Sequence, residues 1–492
     1  MKNTILLISL IAGNITAHSL KAQYHVEWSF PTAVSNDESY GNKRPAMALQ
    51  ANGSPAVVWG KNSPDNVYFS KWDKEFFTAP VQLNPAGTTA FIYDWAGPEI
   101  ASFGDNLYVV YKQMPELTGP IILLRSTDAG NSWEAPVTVD NNPGFITNFP
   151  SITINESGNP IITYMVSNTD YTNAQYYTTA SSDFGTSFPD ATLSSEYSGG
   201  EACDCCTATI VSSPDYVATI YRDNLSNVRN VWTGISTDGG ITFAEGMQVD
   251  ETNWNIFACP SSGPTGFIWE DNLYTSWMSA SSGESLIYTS VSSLSTLTDS
   301  EDIEVTGLTD NLNGQNAPRM THYENAACLI WRQTDFDFHS QLMLQFSEDL
   351  DEGWGEVDTL WDQDNYGIIQ GDVAMSDEDI HIIWQDNNAG KIYYAFGSYL
   401  EEETGVQNNE PAQQLITFPQ PADNNLFVNN FEGSINSIAL ISINGGRILP
   451  DYSLDHNQII LQTQKIPAGF YVLEIVNASG LMFRSNCIIQ HD

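Results

Sequence analysis

The chain has 492 residues, with 17 Lys+Arg against 60 Asp+Glu and a formal net charge of −43. Apolar residues make up 41% and aromatics 12%, which excludes a disordered chain and leaves enough length for more than one domain. So few cations argue against nucleic acid and against an anionic membrane surface as partners. Together with 35 Gly and 23 Pro, the acidity points to a soluble, extracellular, turn-rich β protein.

The first 22 residues read as a secretory signal. Lys2 is the positive start, Ile5 to Gly13 the apolar run, and Ala22-Gln23 the cleavage point, with Ala17 as the alternative. No other apolar run approaches the ~20 residues that span a bilayer.

From residue 24 to 400 one pattern recurs: apolar strand, turn, then a strand ending in an aromatic. Those aromatics are Trp59, Tyr111, Tyr164, Tyr221, Trp277, Trp331 and Trp384, spaced by 52, 53, 57, 56, 54 and 53. A regular period of this kind marks a repeat architecture. Downstream of several of them lies a second motif. It reads Ser126-Thr-Asp-Ala-Gly-Asn-Ser-Trp133, Ser181-Ser-Asp-Phe-Gly-Thr-Ser-Phe188, Ser236-Thr-Asp-Gly-Gly-Ile-Thr-Phe243 and, degraded, Ser347-Glu-Asp-Leu-Asp-Glu-Gly-Trp354. In such a turn the Asp accepts backbone N–H bonds, the Gly permits a positive φ and the aromatic packs between sheets. Asp128, Asp183, Asp238 and Asp349 are therefore structural. The motif resembles the Asp-box (BNR) repeats of sialidase-like β-propellers.

The resemblance implies an all-β chain. Each repeat supplies four strands, A to D, of one blade. Seven repeats predict a seven-bladed β-propeller, with six blades as the alternative. The seventh repeat lacks a local D strand, and Tyr24-His-Val-Glu-Trp-Ser-Phe-Pro31 is expected to supply it and close the ring.

In such a fold the D–A and B–C connections share one face, opposite the Asp boxes. Five of the six propeller arginines fall there: Arg44 and Arg319 at A-strand starts, Arg222 and Arg332 after B-strand aromatics, and Arg229 in a B–C loop. They predict a ligand-binding site for a carboxylate, sulfate or phosphate; the alternative is pairing with nearby acids, such as Asp223 beside Arg222. Sialidases hold the sialate carboxylate with three arginines and use a Tyr nucleophile with acidic partners. Lys43-Arg-Pro-Ala-Met47 is similar to the family's Arg-Ile-Pro opening but lacks the Ile. Arg222 with Arg319 or Arg332 would complete a triad. The resemblance leaves Asp94, Glu201 and Tyr366 as catalytic candidates, and no motif singles out one. Trp59, Trp277, Trp331 and Trp384 suit sugar stacking at a rim or, equally, inter-blade core.

Cys203, Cys205 and Cys206 cluster in the D–A loop opening blade 4, and Cys259 holds the equivalent place in blade 5. In an exported chain a disulfide from Cys259 to one of the three is expected; a Cu or Zn thiolate site and a redox site are the alternatives. Cys328 reads as a buried strand residue. The loop acids Asp335 and Asp337, beside His339, offer a place for Ca²⁺, but EF-hand spacing is absent and a solvated acidic loop is the favoured reading. No G-x-S-x-G, Walker, H-E-x-x-H or dinucleotide motif occurs.

Residues 401–413 are polar and read as a linker. Residues 414–492, with Leu426-Phe-Val, Ile438-Ala-Leu-Ile-Ser-Ile and Phe470-Tyr-Val-Leu-Glu-Ile as strands, read as a small Ig-like β-sandwich holding Cys487. Phe418-Pro-Gln-Pro-Ala-Asp-Asn-Asn-Leu, Asn444-Gly-Gly-Arg447 and Ile466-Pro-Ala-Gly-Phe-Tyr471 resemble, in order, the motifs of the C-terminal sorting domain of the Bacteroidetes type IX secretion system. That resemblance implies the secretion machinery as a partner and a final place outside the cell, released or attached. The expected whole is a secreted or cell-surface monomer binding a glycan or protein ligand on its D–A/B–C face, with an exo-α-sialidase-type hydrolase as the alternative.

Overall fold

The computed structural model describes residues 24–35, 41–73, 76–299, 302–305, 312–360, 367–401, 416–419, 421–429, 434–442, 447–455, 458–477 and 482–491. The signal segment, Tyr366 and almost all of the linker lie outside them. Every regular element among the described residues is a β-strand, and none is a helix long and apolar enough to cross a membrane. The chain divides into two compact units, one of Tyr24–Leu400 and one carrying the residues from Glu401 on.

The first unit holds seven antiparallel sheets of four or five strands, succeeding one another along the chain. Their inner strands are Asn42–Leu49, Glu99–Phe103, Ile146–Ile154, Thr209–Ser212, Thr265–Trp269, Leu312–Tyr323 and Ile368–Met375. Each inner strand touches the next, and the seventh touches the first. The seventh sheet is completed from the other end of the unit. Tyr24–Trp28 pairs with Lys391–Glu401, as do Thr32↔Tyr394 and Ala33↔Tyr393. N- and C-terminal strands thus share one sheet, which covers its open edge.

The second strand of each sheet is buried on both faces, as in Pro160–Ser167, where all eight residues are buried. A strand clamped between two neighbouring sheets needs apolar groups on both sides, so it reads as a continuous apolar run rather than an alternation. The core lies between sheets. Ala46, Val58, Val67, Val109, Tyr111 and Leu124 join the first to the second, and Ile383 and Tyr394 join the seventh to Val57 and Trp59 of the first. Trp59, Trp277, Trp331 and Trp384 are all buried in these layers. Of the two roles expected of them, inter-blade core is the one they fill, and they have no face to offer a ligand at a rim.

Between the third and fourth strands of sheets two, three and four the same turn is built three times. Asp128 accepts from the Ser126 hydroxyl (2.8 Å), the Ser132 N–H (2.8 Å) and the Ser132 hydroxyl (2.6 Å). Asp183 and Asp238 repeat this with Ser181 and Ser187, and with Ser236 and Thr242. Gly130 has φ 77°, and a Cβ there would lie 2.6 Å from the Phe69 ring of the preceding sheet. Backbone conformation and close approach both require glycine. Trp133 meets that ring edge-to-face at 5.0 Å. Asp349 differs: its carboxylate accepts only the Asp351 N–H (3.0 Å), while Ser347 donates to the Gly353 carbonyl (2.8 Å).

The hydroxyl and N–H donors hold the Asp128 carboxyl down at about 2, and those of Asp183 and Asp238 below the usual range. A depressed folded-state pKa gives stability that is full above the unfolded value and lost as pH falls through the folded one. The Asp128 turn should therefore weaken between about pH 4 and about pH 2, and the Asp183 and Asp238 turns as pH falls below the usual carboxylate range. The triple variant Asp128→Asn, Asp183→Asn, Asp238→Asn should show a smaller fall in Tm across that window than the parent. Equal falls would mean that the clamps do not carry the acid sensitivity.

The second unit has two four-stranded sheets, one containing Asn425–Asn429 and Gln458–Gln462, the other Ile435–Ser442 and Gly469–Asn477. Leu426, Val428 and Leu461 of the first share a core with Leu440, Leu473 and Ile475 of the second. Glu474, nearly buried, accepts from Arg447 (2.8 Å) and Arg484 (3.3 Å).

Candidate functional site at the ring axis

The inner and second strands of every sheet share one register. The residue before each second-strand aromatic faces Ala46, Glu99, Ser151, Thr209, Thr265, Arg319 or Asp372. These seven positions form one level around the axis. Three of them carry charge, and Arg44 joins them from two residues before Ala46.

The charged groups meet across the ring. Glu99 Oε1 accepts from Arg44 Nη2 at 2.5 Å and lies 3.6 Å from Arg319 Nη2. Arg319 Nε lies 3.9 Å from Asp372 Oδ1, and Asp372 Oδ2 accepts the Met47 N–H at 2.8 Å. Arg44 has φ 49°, and a Cβ on Gly97 would lie 2.8 Å from its Cγ, so glycine makes room for this arginine. Bulges precede the axial level in the first, third, sixth and seventh sheets. They turn the chain at Arg44, Phe149 and Ala317, all at positive φ, and re-aim side chains as bulges beside functional sites do.

Above this level opens a cleft of about 130 Å³, bounded by Asp94, Trp95, Thr207, Ser261–Gly263, Asn316–Arg319, Arg332 and Ile369–Gln370. Its wall comes from loops that precede three inner strands, from the bulged parts of two further inner strands, Leu312–Tyr323 and Ile368–Met375, and from Arg332 on one second strand. Asp94 pairs with Lys43 (3.3 Å) and accepts from Gln385 (2.8 Å), and its carbonyl accepts from Gln370. Arg332 Nε is buried with no hydrogen-bond partner. Burial lowers the pKa of Arg332, and the Asp94 carboxylate counteracts it.

Burial pushes the Glu99 carboxyl up to about 7, opposed by Arg44 and reinforced by Asp372. It pushes Asp372 up to about 6, opposed by the Met47 N–H and Arg44. Lys112, in the second strand of the second sheet, shares a small cavity with Glu99, donates to the Gly119 carbonyl and is drawn down to about 8 by burial. Burial thus raises two carboxyls toward neutrality beside Arg44 and Arg319 at the ring axis.

Of the residues expected from sequence, Arg44, Arg319, Arg332 and Asp94 come together here. Arg222 does not, and that expectation is corrected. It is fully buried and donates to the carbonyls of Arg229 (2.9 Å), Met278 (2.7 Å) and Ser262 (3.3 Å), with Trp254 5.5 Å from its guanidinium. Three of its five N–H groups bond core carbonyls, and the side chain has no exposed surface. Arg229 is buried beside Asp204, Asp223 and Glu201, away from the cleft wall, and Glu201 pairs with Asn224 at a sheet edge. Glu99, Asp372 and Lys112 were missed. Aligning the seven repeats on their aromatics would have exposed the first two as charges at one level of the inner strands.

Cys205 is bonded to Cys259 and Cys203 to Cys206, with Cα separations of 6.1 and 5.4 Å, within the usual range. The four sulfurs are thus paired with one another, and the thiolate ligands of the Cu or Zn alternative are used up. The Cys205–Cys259 bond ties together the two loops that carry Thr207 and Ser261. Cys328 and Cys487 are buried free thiols. Asp335, Asp337 and His339 place their ligand atoms within 4.8 Å of one another. Asp335 already accepts the Asp337 and His339 N–H groups (2.9 and 2.8 Å), which is the bonding of a loop turn.

The C-terminal unit matches the family model described as secretion system C-terminal sorting domain over residues 417–490. The chain carries a type IX sorting domain. That domain directs export, with secretion or attachment at the outer surface. No curated protein matches the chain in sequence. Solved structures of similar fold include an ulvan lyase (10% identity, 74% of this chain and 95% of that one, TM-score 0.49). Others are an α-L-arabinanase of Penicillium chrysogenum (12%, 77% and 98%, 0.42) and the endosialidase of phage phi92 (10%, 94% and 87%, 0.42). These are propeller-like proteins, and the likeness is one of fold alone.

Proposed function

We propose that the mature chain is a seven-bladed, Asp-box β-propeller on an Ig-like sorting domain, with residues 1–22 removed and 401–413 as linker. It acts outside the cell as a monomer and binds an acidic glycan in the axial cleft. The observation that carries this is the pair Arg319 and Arg332 at one small cleft in a chain of net charge −43. Arg332 keeps a buried N–H without a partner, and a carboxylate or sulfate would satisfy it with charge-assisted bonds. Thr207 and Ser261 also line the cleft and offer hydroxyls to the ring of the same sugar, while the Ser262 hydroxyl donates to Asn316 (2.8 Å).

The full-length secreted protein should retain acidic glycans on a mixed glycan array and leave neutral ones. Equal retention of both would overturn the reading.

Glu99 gives the cleft a pH dependence. Its carboxyl is raised, so it gains negative charge only as pH climbs through about 7, and an anionic ligand then meets a new like charge. Affinity should fall several-fold from about pH 6 to about pH 8, and Glu99→Gln should show a clearly smaller fall, with the remainder carried by Asp372 and Lys112. A parent profile that is flat would remove Glu99 from the site.

The same carboxyl favours a second reading, an exo-sialidase type of hydrolase in which Glu99 moves the proton and Arg44, Arg319 and Arg332 form the anion clamp. Turnover of a fluorogenic sialoside, lost in Glu99→Gln, would promote it. No turnover at high protein concentration would leave binding as the activity.

A further inference from the structure

An aromatic track leads from the cleft outward. Trp95 stands in the cleft wall, and Tyr93 lies 5.8 Å from it, centroid to centroid, at 31°. Tyr93 is 47% exposed, and Tyr171, within electrostatic reach of it, is 40% exposed. The track is braced from below. Phe91 and Phe149 are buried, at 4.6 Å from Tyr93 and 5.1 Å from Trp95 respectively.

Tyr171 is held on purpose. It has φ 63°, a conformation that a bulky side chain avoids and that points to a role when the surroundings enforce it. The enforcement is visible: Tyr171 N–H donates to the Asn168 carbonyl, Asn168 N–H to the Thr172 carbonyl (both 2.9 Å), and the Thr172 hydroxyl to Asp170 (2.7 Å). Glu116, within electrostatic reach of Tyr171, accepts from Asn148 at 3.0 Å.

The charge along the track is mainly negative. Asp94 pairs with Lys43 at 3.3 Å, Glu116 and Asp170 lie beside Tyr171, and Lys112 is buried behind, in a cavity with Phe91 and Phe149. Rings with polar edges, separated by carboxylates, suit sugars, which offer an apolar C–H face and hydroxyl rims. They do not suit an aliphatic protein surface, and the carboxylates repel a chain charged at every unit.

We infer that the ligand is an oligosaccharide with one terminal acidic sugar in the cleft and neutral sugars stacked on Trp95, Tyr93 and Tyr171. This rests on the acidic-glycan reading above and deepens it.

The test uses the full-length secreted protein and two matched series. One is N-acetylneuraminic acid against 3′-sialyllactose; the other is glucuronic acid against glucuronic acid carried on one to three xylose units. Polysialic acid and polygalacturonate are the charged polymers. For whichever acidic sugar binds, neutral units should raise affinity by about 10-fold or more. Tyr93→Ala and Tyr171→Asn should each remove most of that gain, with monosaccharide affinity and Tm unchanged. Equal affinity for monosaccharide and capped oligosaccharide, or tighter binding of the charged polymers, would overturn the inference while leaving the cleft intact. Binding of no acidic sugar in either series would overturn the acidic-glycan reading and this inference with it.

Discussion

Replacing Arg319 and Arg332 together by Ala should weaken binding of an acidic saccharide by at least about 100-fold, since each charged hydrogen bond contributes about 1.5–3 kcal/mol. Both guanidinium groups line the cleft. Arg319 also pairs with Glu99 and Asp372 from 3.6 and 3.9 Å, so its loss leaves Glu99 with Arg44 alone and makes the potential at the cleft more negative. Arg125→Ala is the control. That residue bonds Glu134, Phe184 and Thr186 on the Asp-box turns, and its removal should leave affinity unchanged. Titration of the secreted protein with sialyllactose and with glucuronyl-xylobiose checks both. A double variant that binds as well as the parent would end the cleft assignment.

Arg222→Ala should lower stability rather than affinity, by roughly 3–5 kcal/mol as for breaking other buried charge networks. The substitution strands three buried carbonyls. It also removes the cation that opposes the burial of Asp250, and it leaves Asp223, which burial has already pushed up to about 7, with Arg229 alone. Tm should fall by on the order of 5–10 °C, and Arg222→Lys should fall part of the way, because an ammonium cannot reproduce three planar donors. A variant with parental Tm but no saccharide binding would return Arg222 to the site.

These two arginines show where reading the sequence stops. Arg222 and Arg332 both follow a second-strand aromatic, Tyr221 and Trp331, and the repeat alone gives them one role. Their fates differ because of what covers them. Trp254 and the Ser262 and Met278 carbonyls close over Arg222, whereas Arg332 lies beside Asp94 at an opening. Those covering residues come from the next sheet and its loops, and no pattern in the neighbourhood of residue 222 announces them.

What the sequence determined by itself is what short-range chemistry specifies. The aromatic period follows from strands buried on both faces, the Ser–Asp–Gly turns from hydrogen bonds within seven residues, and the export signal from three motifs inside the last 80 residues. The tertiary structure decided the axis. Glu99 meets Arg319 only because seven inner strands close a ring and share one register. Arg44, Glu99, Arg319 and Asp372 are far apart along the chain, yet one level of that ring gathers them. Burial there, not residue type, moves two ordinary carboxyls to near neutrality, since desolvation depends on the walls that the closed ring supplies.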